Sequence, residues 1–433
     1  MTAVHAAPLR IALPYASFGD PSAVLLAGPP AEAGMESFEA HTHRLGVLPQ
    51  LPADDLIALA AGAHLEGRGG GGFPMARKLA ATATAASRAG AQAPVVVING
   101  SESEPASRKD RSLLELRPHV VLDGAAAAAH ALGAPVAYVQ LHDDRAHWSV
   151  MAALEQRRRY VLADPEWRVV RGQPGYVAGE ASAVVSSIEG TGGLPRFTLL
   201  PLAVQGLRGA PTLVQNAETM AHLGLLARRG YDAQLPASFL VTIAGAVARP
   251  GTVLEVTAEV TVGELLSEVG MLTAPPAAVL LGGYAGTWMS GRDVWSTTLH
   301  PGPAADGGGP VGCGLLAVLP SDACGLAAAA ALAQWLAGES AGQCGPCRLG
   351  LPDLGDSLTQ LAGRHARRRD VAAVQRLMEV VEGRGACRHP DGVVRMVRSA
   401  LDVFADDVAT HLRGRGCGGA SVAPWPLPSR RPA

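Results

Sequence analysis

The stretch Val95-Val96-Val97-Ile98-Asn99-Gly100-Ser101-Glu102-Ser103-Glu104-Pro105 turns in one step from a β-branched apolar run into a polar loop carrying two carboxylates. A strand that runs straight into such a loop has the geometry of a ligand site at the carboxyl end of a parallel sheet. Outward from it, β-like runs at 136–140 and 169–170 alternate with Ala-rich helical stretches at 54–63, 122–132 and 181–187. That alternation predicts an α/β domain over residues 46–238. From Phe239 the pattern changes to a hairpin with its turn at 249–251, a short helix and a strand at 279–281, a small ββαβ unit that ends with a linker at 306–310 inside 239–318. Residues 319–414 carry helical periodicity almost throughout, with helices expected at 353–361, 370–382 and 392–412, and predict a C-terminal α-helical bundle. Residues 1–45 predict an irregular N-terminal extension, and the Pro-, Gly- and Arg-rich 415–433 a loose tail.

Composition narrows the function classes. Of 433 residues, 48% are hydrophobic and 17% charged, against a usual charged share of ~25%, which excludes disorder as the main theme. A net charge of -2 leaves no electrostatic footprint for nucleic acid or an anionic membrane. The longest apolar run, residues 325–336, falls short of the ~20 residues that span a bilayer, and no secretory pattern opens the chain, so a cytoplasmic location is expected. Six cysteines in such a chain point to metal ligands or inert thiols before disulfides. Of 36 Lys+Arg only Lys78 and Lys109 are lysine, and both flank the most glycine-dense part of the N-terminal half.

Five segments could carry chemistry. The first is Gly67-Arg68-Gly69-Gly70-Gly71-Gly72-Phe73-Pro74 followed by Lys78. Its backbone can approach a ligand with no Cβ in the way and aim N–H groups at a phosphate, with Arg68 and Lys78 as counter-charges; alone, a flexible loop has the same composition. The second is the loop after the 95–98 strand, continuing to Arg108-Lys109-Asp110-Arg111, suited to sugar or ribityl hydroxyls; a helix N-terminus accounts for one of its glutamates. The third, Gly175-Tyr176-Val177-Ala178-Gly179-Glu180-Ala181-Ser182, and the fourth, Pro211-Thr212-Leu213-Val214-Gln215-Asn216-Ala217-Glu218-Thr219, each read alone as an ordinary capped helix start. The fifth is Cys344-Gly345-Pro346-Cys347-Arg348 with Cys387 forty residues on, a pattern for a soft metal or iron–sulfur cluster, or for a redox dithiol. Cys313, Cys324 and Cys417 show no ligand spacing and read as buried or incidental thiols.

In this order, from about residue 50 to 412, the five segments resemble the NADH-oxidising FMN and iron–sulfur flavoprotein subunit of respiratory complex I and the diaphorase subunits of NAD-linked hydrogenases and formate dehydrogenases, as a divergent member. The family pattern is G-R-G-G-A-G-F-P and a Lys, N-x-D-E-S-E-P-G-x-x-K-D-R, Y-x-x-G-E-E-T-A, P-T-x-x-N-N-x-E-T, and E-S-C-G-x-C-x-P-C-R with a fourth Cys downstream. The resemblance implies an FMN-binding α/β domain, a β-grasp module for the ββαβ unit, and a cluster-bearing helical domain. It implies FMN on Gly67, Arg68, Gly69, Gly70 and Lys78 of the first loop and on Asn99, Glu102 and Ser103 of the second. Tyr176, Gly179 and Glu180 would line the isoalloxazine side, and Val214, Gln215, Asn216 and Thr219 would close the site. Phe73 and Glu104 match the dinucleotide-contacting positions, and Glu104 and Glu180 are the implied catalytic carboxylates. Lys78 and Lys109 both fall on family lysine positions.

Departures from the pattern cluster in the dinucleotide and cluster sites, with milder changes at Ser101 and Gln215. Ala181 replaces the carboxylate that faces the adenosine ribose hydroxyls, and Ala80, Pro201 and Thr198 stand where relatives have two adenine-stacking aromatics and a lysine. Stacking contributes roughly 1–3 kcal/mol per base, so weaker adenine binding is expected. Ala341 replaces the first cluster cysteine, which leaves Cys344, Cys347 and Cys387 for a 3Fe-4S or 4Fe-4S centre or for an empty site. The expectation is an FMN-dependent NAD(P)H dehydrogenase that feeds a ferredoxin-like protein or another iron–sulfur electron-transfer subunit, with no nucleic-acid partner and at most peripheral membrane association. The alternative is a flavin-binding electron-transfer or scaffold subunit that has lost dinucleotide binding.

Overall fold

The computed structural model describes residues 24–88, 90, 92–161, 163–230, 238–257, 260–268, 272–300, 309–415 and 424–428. Residues 1–23 of the expected extension, most of the 306–310 linker, most of the tail and Cys417 lie outside these described residues.

The quoted stretch does begin with a strand. Strand β1 (Val95–Asn99) is central in a four-stranded sheet with β2 (Val136–Leu141), β3 (Glu166–Arg171) and β4 (Thr212–Asn216), in the order β3-β2-β1-β4. All pairings are parallel. Helices cover the sheet, as a parallel sheet requires, and β1 reads as a continuous apolar run because it is buried on both faces. The order turns around at β1, whose neighbours are β2 on one side and β4 on the other, so a crevice opens beyond the ends of β1 and β4. The fourth segment does contain the expected capped helix start, but a strand precedes it. Thr212–Asn216 is a strand, and the helix Ala217–Arg229 begins after it with Asn216 as its cap, Oδ1 accepting from the Glu218 N–H at 2.9 Å. Hydrogen bonding to β1 decided that segment, and no local signal announces such pairing.

A second sheet contains β5 (Ser238–Gly245), β6 (Thr252–Thr257), β7 (Pro276–Leu281) and β8 (Thr287–Ser290), then, beyond the two-residue strands β9 (Leu299–His300) and β10 (Gly309–Pro310), β11 (Leu315–Pro320). Its order is β6-β5-β11-β7-β8, with β11 parallel to β5 and antiparallel to β7. The expected ββαβ pattern is therefore incomplete: β11 occupies the centre of the sheet. The helix Val262–Glu268 accompanies it.

The C-terminal part is helical, as expected, with Gly325–Gly338, Leu351–Leu361 and Arg368–Val381 prominent. The helix expected at 392–412 is two, His389–Val403 and Ala405–Leu412, broken at Phe404, which packs edge-on to Trp288 at 5.0 Å. The expected irregular extension contains the helix Phe38–Leu45, capped by Ser37 and locked by a buried ion network in which Asp123 meets His41 (2.6 Å), Arg157 (2.7 Å) and Arg228 (2.6 Å). Part of the tail is docked as well: the Tyr284 hydroxyl donates to the Pro426 carbonyl at 2.6 Å, and Trp425 is buried beside Trp288. No helix among the described residues is long and apolar enough to cross a membrane.

Candidate functional site

Where the first sheet's crevice opens, the second sheet and the helical part close over it and leave a cavity of about 1020 Å³. That is at the top of the ~300–1,000 Å³ range of ligand sites. The glycine loop, the loop after β1, the turn at Tyr176 and the end of β4 form one side. The opposite side comes from the 282–287 turn and Cys313 of the second sheet and from 387–395 of the helical part. Every expected flavin and dinucleotide residue lines this cavity except Thr219, which lies buried beneath it and accepts from the Arg68 N–H at 2.9 Å.

The glycine loop and the helix after it bring two cations, Arg68 and Lys78, to the site. Arg68 is 7% exposed, with Nε and Nη1 lacking any hydrogen-bond partner and its nearest carboxylate, Glu218, 4.0 Å away. Lys78 donates to the Val214 carbonyl (3.1 Å) and the Gln215 Oε1 (3.4 Å), both neutral, and burial pushes its pKa down to about 8. A buried cation without a contacting anion is costly unless a ligand supplies the anion. Gly70, at φ +95°, takes a backbone conformation that side chains disfavour, and the loop turns there beside Cys313. Phe73 is 44% exposed, with Arg77 and Lys78 over its ring at 5.4 and 5.9 Å.

The loop after β1 is held largely by itself. Both Glu102 oxygens are taken by Ser107 Oγ (2.6 Å), the Asp110 and Arg111 N–H groups (3.2 Å each) and Arg111 Nε (2.9 Å). A helix N-terminus does account for one glutamate: Glu102 lines the cavity but spends its carboxylate on the helix Lys109–Leu116. Asn99 likewise joins segments, donating to the Gly179 carbonyl at 2.8 Å and accepting from the Ser101 N–H at 3.1 Å. Lys109 differs from its expected ligand-facing role, because its ammonium is clamped between Asp110 (2.9 Å) and Glu218 (2.8 Å), fully buried. Those two carboxylates raise its pKa against the opposing effect of burial. Asp110 in turn accepts from Asn216 Nδ2 at 2.7 Å, which ties β4 to this helix.

Glu104 is the buried carboxyl of the cavity wall. It accepts from the Tyr284 N–H (3.0 Å), the Tyr176 hydroxyl (3.2 Å) and the Cys313 thiol (3.7 Å) and has no cation in contact. Burial, opposed by these donors, raises its pKa to about 7. Tyr176 also packs edge-on to Trp335 and against His389, at 5.5 and 5.6 Å, which links the cavity to the helical part. Glu180 caps the helix Ala181–Ile188 through the Ser182 and Ala183 N–H groups and the Ser182 hydroxyl.

Of the three cysteines expected to hold a cluster, Cys387 lines the cavity itself. Cys344 and Cys347 are in mutual side-chain hydrogen-bond contact, and Cys347 is buried. No group of three or more His, Cys, Asp or Glu among the described residues closes on a single metal ion. Cys313, read from the sequence as incidental, is a cavity-wall residue. Nothing in its spacing could have placed it there, because the second sheet brings it in.

A family model described as the Nuo51 FMN-binding domain matches residues 61–224, and one described as the NADH-ubiquinone oxidoreductase-F iron-sulfur binding region matches 327–411. Two regions of the chain are thus similar to these two domains. Among its relatives, an NADH-quinone oxidoreductase subunit of Mycobacterium tuberculosis (strain ATCC 25618 / H37Rv) is 29% identical over 387 residues, 85% of this chain and 86% of that one. The NADP-reducing hydrogenase subunit HndC of Solidesulfovibrio fructosivorans is 26% identical, over 86% of this chain and 78% of its own. The fold is similar to a chain of the NAD+-reducing [NiFe]-hydrogenase in the H2-reduced state, with TM-score 0.75 and 25% identity, covering 83% of this chain and 63% of that chain.

For an FMN-binding chain the cavity passes a physical test. Lys78, which reaches only neutral oxygens, and Arg68, whose Nη1 has no hydrogen-bond partner, line the cavity together with Gly69, Gly70, Gly71 and Gly72, a set that suits an FMN phosphate. The departures fall differently. Ala181 lines the cavity, whereas Ala80, Thr198 and Pro201 are not among its lining residues.

Proposed function

We propose that this chain is a diaphorase-type subunit, in which FMN in the cavity takes electrons from NAD(P)H and yields them to an iron–sulfur centre on Cys344, Cys347 and Cys387, and from there to a ferredoxin-like protein. The observation that carries this reading is the half-buried ammonium of Lys78 in the cavity lining, which reaches only neutral oxygens, beside Arg68, whose one carboxylate partner, Glu218, is 4.0 Å away. FMN supplies the exchange between two-electron and one-electron chemistry. The chain's own residues do the rest. Arg68 and Lys78 hold the phosphate, the glycines let it approach the backbone, and Ser103 and Gly179 face the ribityl side. Asn99 and Glu102 keep the β1 loop in place for it. Glu104 holds a proton at the wall where Phe73 and Tyr176 would seat the nicotinamide, with Glu180 the second carboxylate. The cavity is large enough for a flavin and a second nucleotide together. We read 46–238 as the FMN unit, 239–318 as a β-grasp module and 319–414 as the cluster unit.

A second reading is favoured by Ala181, which puts a methyl group in the cavity wall where a ribose-binding carboxylate is expected. In it the chain binds flavin but no dinucleotide and takes electrons from a protein. Anaerobic purification, flavin and iron analysis, and titration with NADH, NADPH and a reduced ferredoxin separate the two. Bleaching of the flavin by NAD(P)H supports the first, and bleaching by ferredoxin alone supports the second. A protein that takes up no FMN on reconstitution overturns both. Ala341→Cys should raise the iron bound per chain and convert a three-iron to a four-iron electron paramagnetic resonance signal.

A further inference from the structure

Cys313 belongs to none of the five segments, yet its thiol meets the one buried carboxyl that the cavity leaves without a cation. We propose that Cys313 is a positioning residue for the Glu104 carboxyl, its S–H acting as a rotor that points to Glu104 when the carboxyl is ionised and to the Gly282 carbonyl when it is not. The proposal rests on the reading of Glu104 as the proton-holding group of the site.

The geometry offers the thiol two acceptors, Gly282 O at 3.3 Å and Glu104 Oε2 at 3.7 Å. It has one proton to give, so the choice follows acceptor strength, and a carboxylate outcompetes a neutral carbonyl. The thiol stays a donor across the relevant range, because burial and the neighbouring Glu104 carboxylate push its own pKa far up. The enclosure is tight. Gly283 has φ +103°, and a Cβ there would lie 2.5 Å from Glu104 Oε2 and 2.6 Å from Cys313 Sγ, so only glycine lets the turn press on both groups. The other groups facing the pair are accounted for. Tyr176 and the Tyr284 N–H donate to the carboxyl from two further elements. Glu102 opposes its ionisation, and Lys109 acts on the thiol from beneath. Cys313 lies just before β11 and Tyr284 just after β7, so the central strands of the second sheet set the proton affinity of a group on the first sheet's loop. That sheet is then part of the chemistry and not a bystander insert.

Infrared difference spectroscopy across neutral pH tests this on the full-length protein, flavin-free and flavin-loaded. The S–H stretch of one cysteine should shift in step with the carboxyl band that Glu104→Gln removes; the S–H band should vanish in Cys313→Ser and cease to titrate in Glu104→Gln. In Cys313→Ala the carboxyl midpoint should rise by about half a pH unit, because a donor to the charged form is lost, and Cys313→Ser should restore it. An S–H band that ignores pH, or an alanine variant with the wild-type midpoint, overturns the proposal. Flavin absorbance of the same samples reports FMN binding independently, so failure of the flavin reading is seen separately.

Discussion

On the glycine-loop side of the cavity Lys78 reaches two neutral oxygens and Arg68 keeps unpartnered nitrogens, while beneath the loop after β1 Lys109 is clamped at 2.9 and 2.8 Å by two carboxylates. Both lysines line one cavity and both fall on positions that the family marks. What separates them is charge compensation within the protein. A cation already neutralised holds the scaffold, and one left bare is kept for a ligand. Glu104 is the anionic counterpart of the bare cations, a carboxyl held only by neutral donors.

Removing the compensated cation should have the largest effect. Lys109→Met leaves Asp110 and Glu218 buried without the cation between them, and by analogy with broken buried ion pairs should cost about 3–5 kcal/mol of folding stability in denaturant titration. A variant that folds as stably as the parent but loses only FMN would break the distinction.

Glu104 comes next. Its folded-state pKa is raised to about 7 from an ordinary 4.5, so between those values the folded chain binds more protons than the unfolded one. Stability from this group therefore falls as pH rises through that window. Glu104→Gln should abolish the fall and, above neutral pH, stabilise the flavin-free protein by about 3 kcal/mol. The same stability difference at pH values on both sides of the window would show that the carboxyl does not titrate there.

Lys78→Ala should leave folding nearly unchanged and weaken FMN about tenfold or more by fluorescence titration, the loss of about 1.4 kcal/mol. Lys78→Arg should weaken it less, since a planar fork replaces a point charge, and Arg376→Lys on an exposed helix should change nothing. Smallest of all is the pH effect. Because burial depresses Lys78 to about 8, FMN affinity should decline gradually as pH rises above that value. A flat profile would move the phosphate to Arg68 alone.

The fold was legible where periodicity is local. The β1 run, the helices of the C-terminal part and the cap at Glu180 all follow from short-range pattern. It was illegible where a segment's state depends on a distant partner. Thr212–Asn216 resembles a helix start until β1 pairs with it, and β11 gains its central place only between β5 and β7. The site divides the same way. Residue types and order marked the glycine loop, the Tyr176 turn and the cysteines, but not which side chains face the cavity.

By itself the sequence determined the order of the segments, the departures in the dinucleotide and cluster sites, Ala181 and Ala341 among them, and the near-absence of lysine, since these are facts of residue identity and spacing. Only the tertiary structure decided that Glu102 and Lys109 serve the scaffold, that Lys78 reaches only neutral oxygens, and that Cys313 meets Glu104. The physical reason is that a charged group's role depends on what neutralises it. That partner can lie anywhere along the chain, as Glu218 does for Lys109 and Cys313 for Glu104.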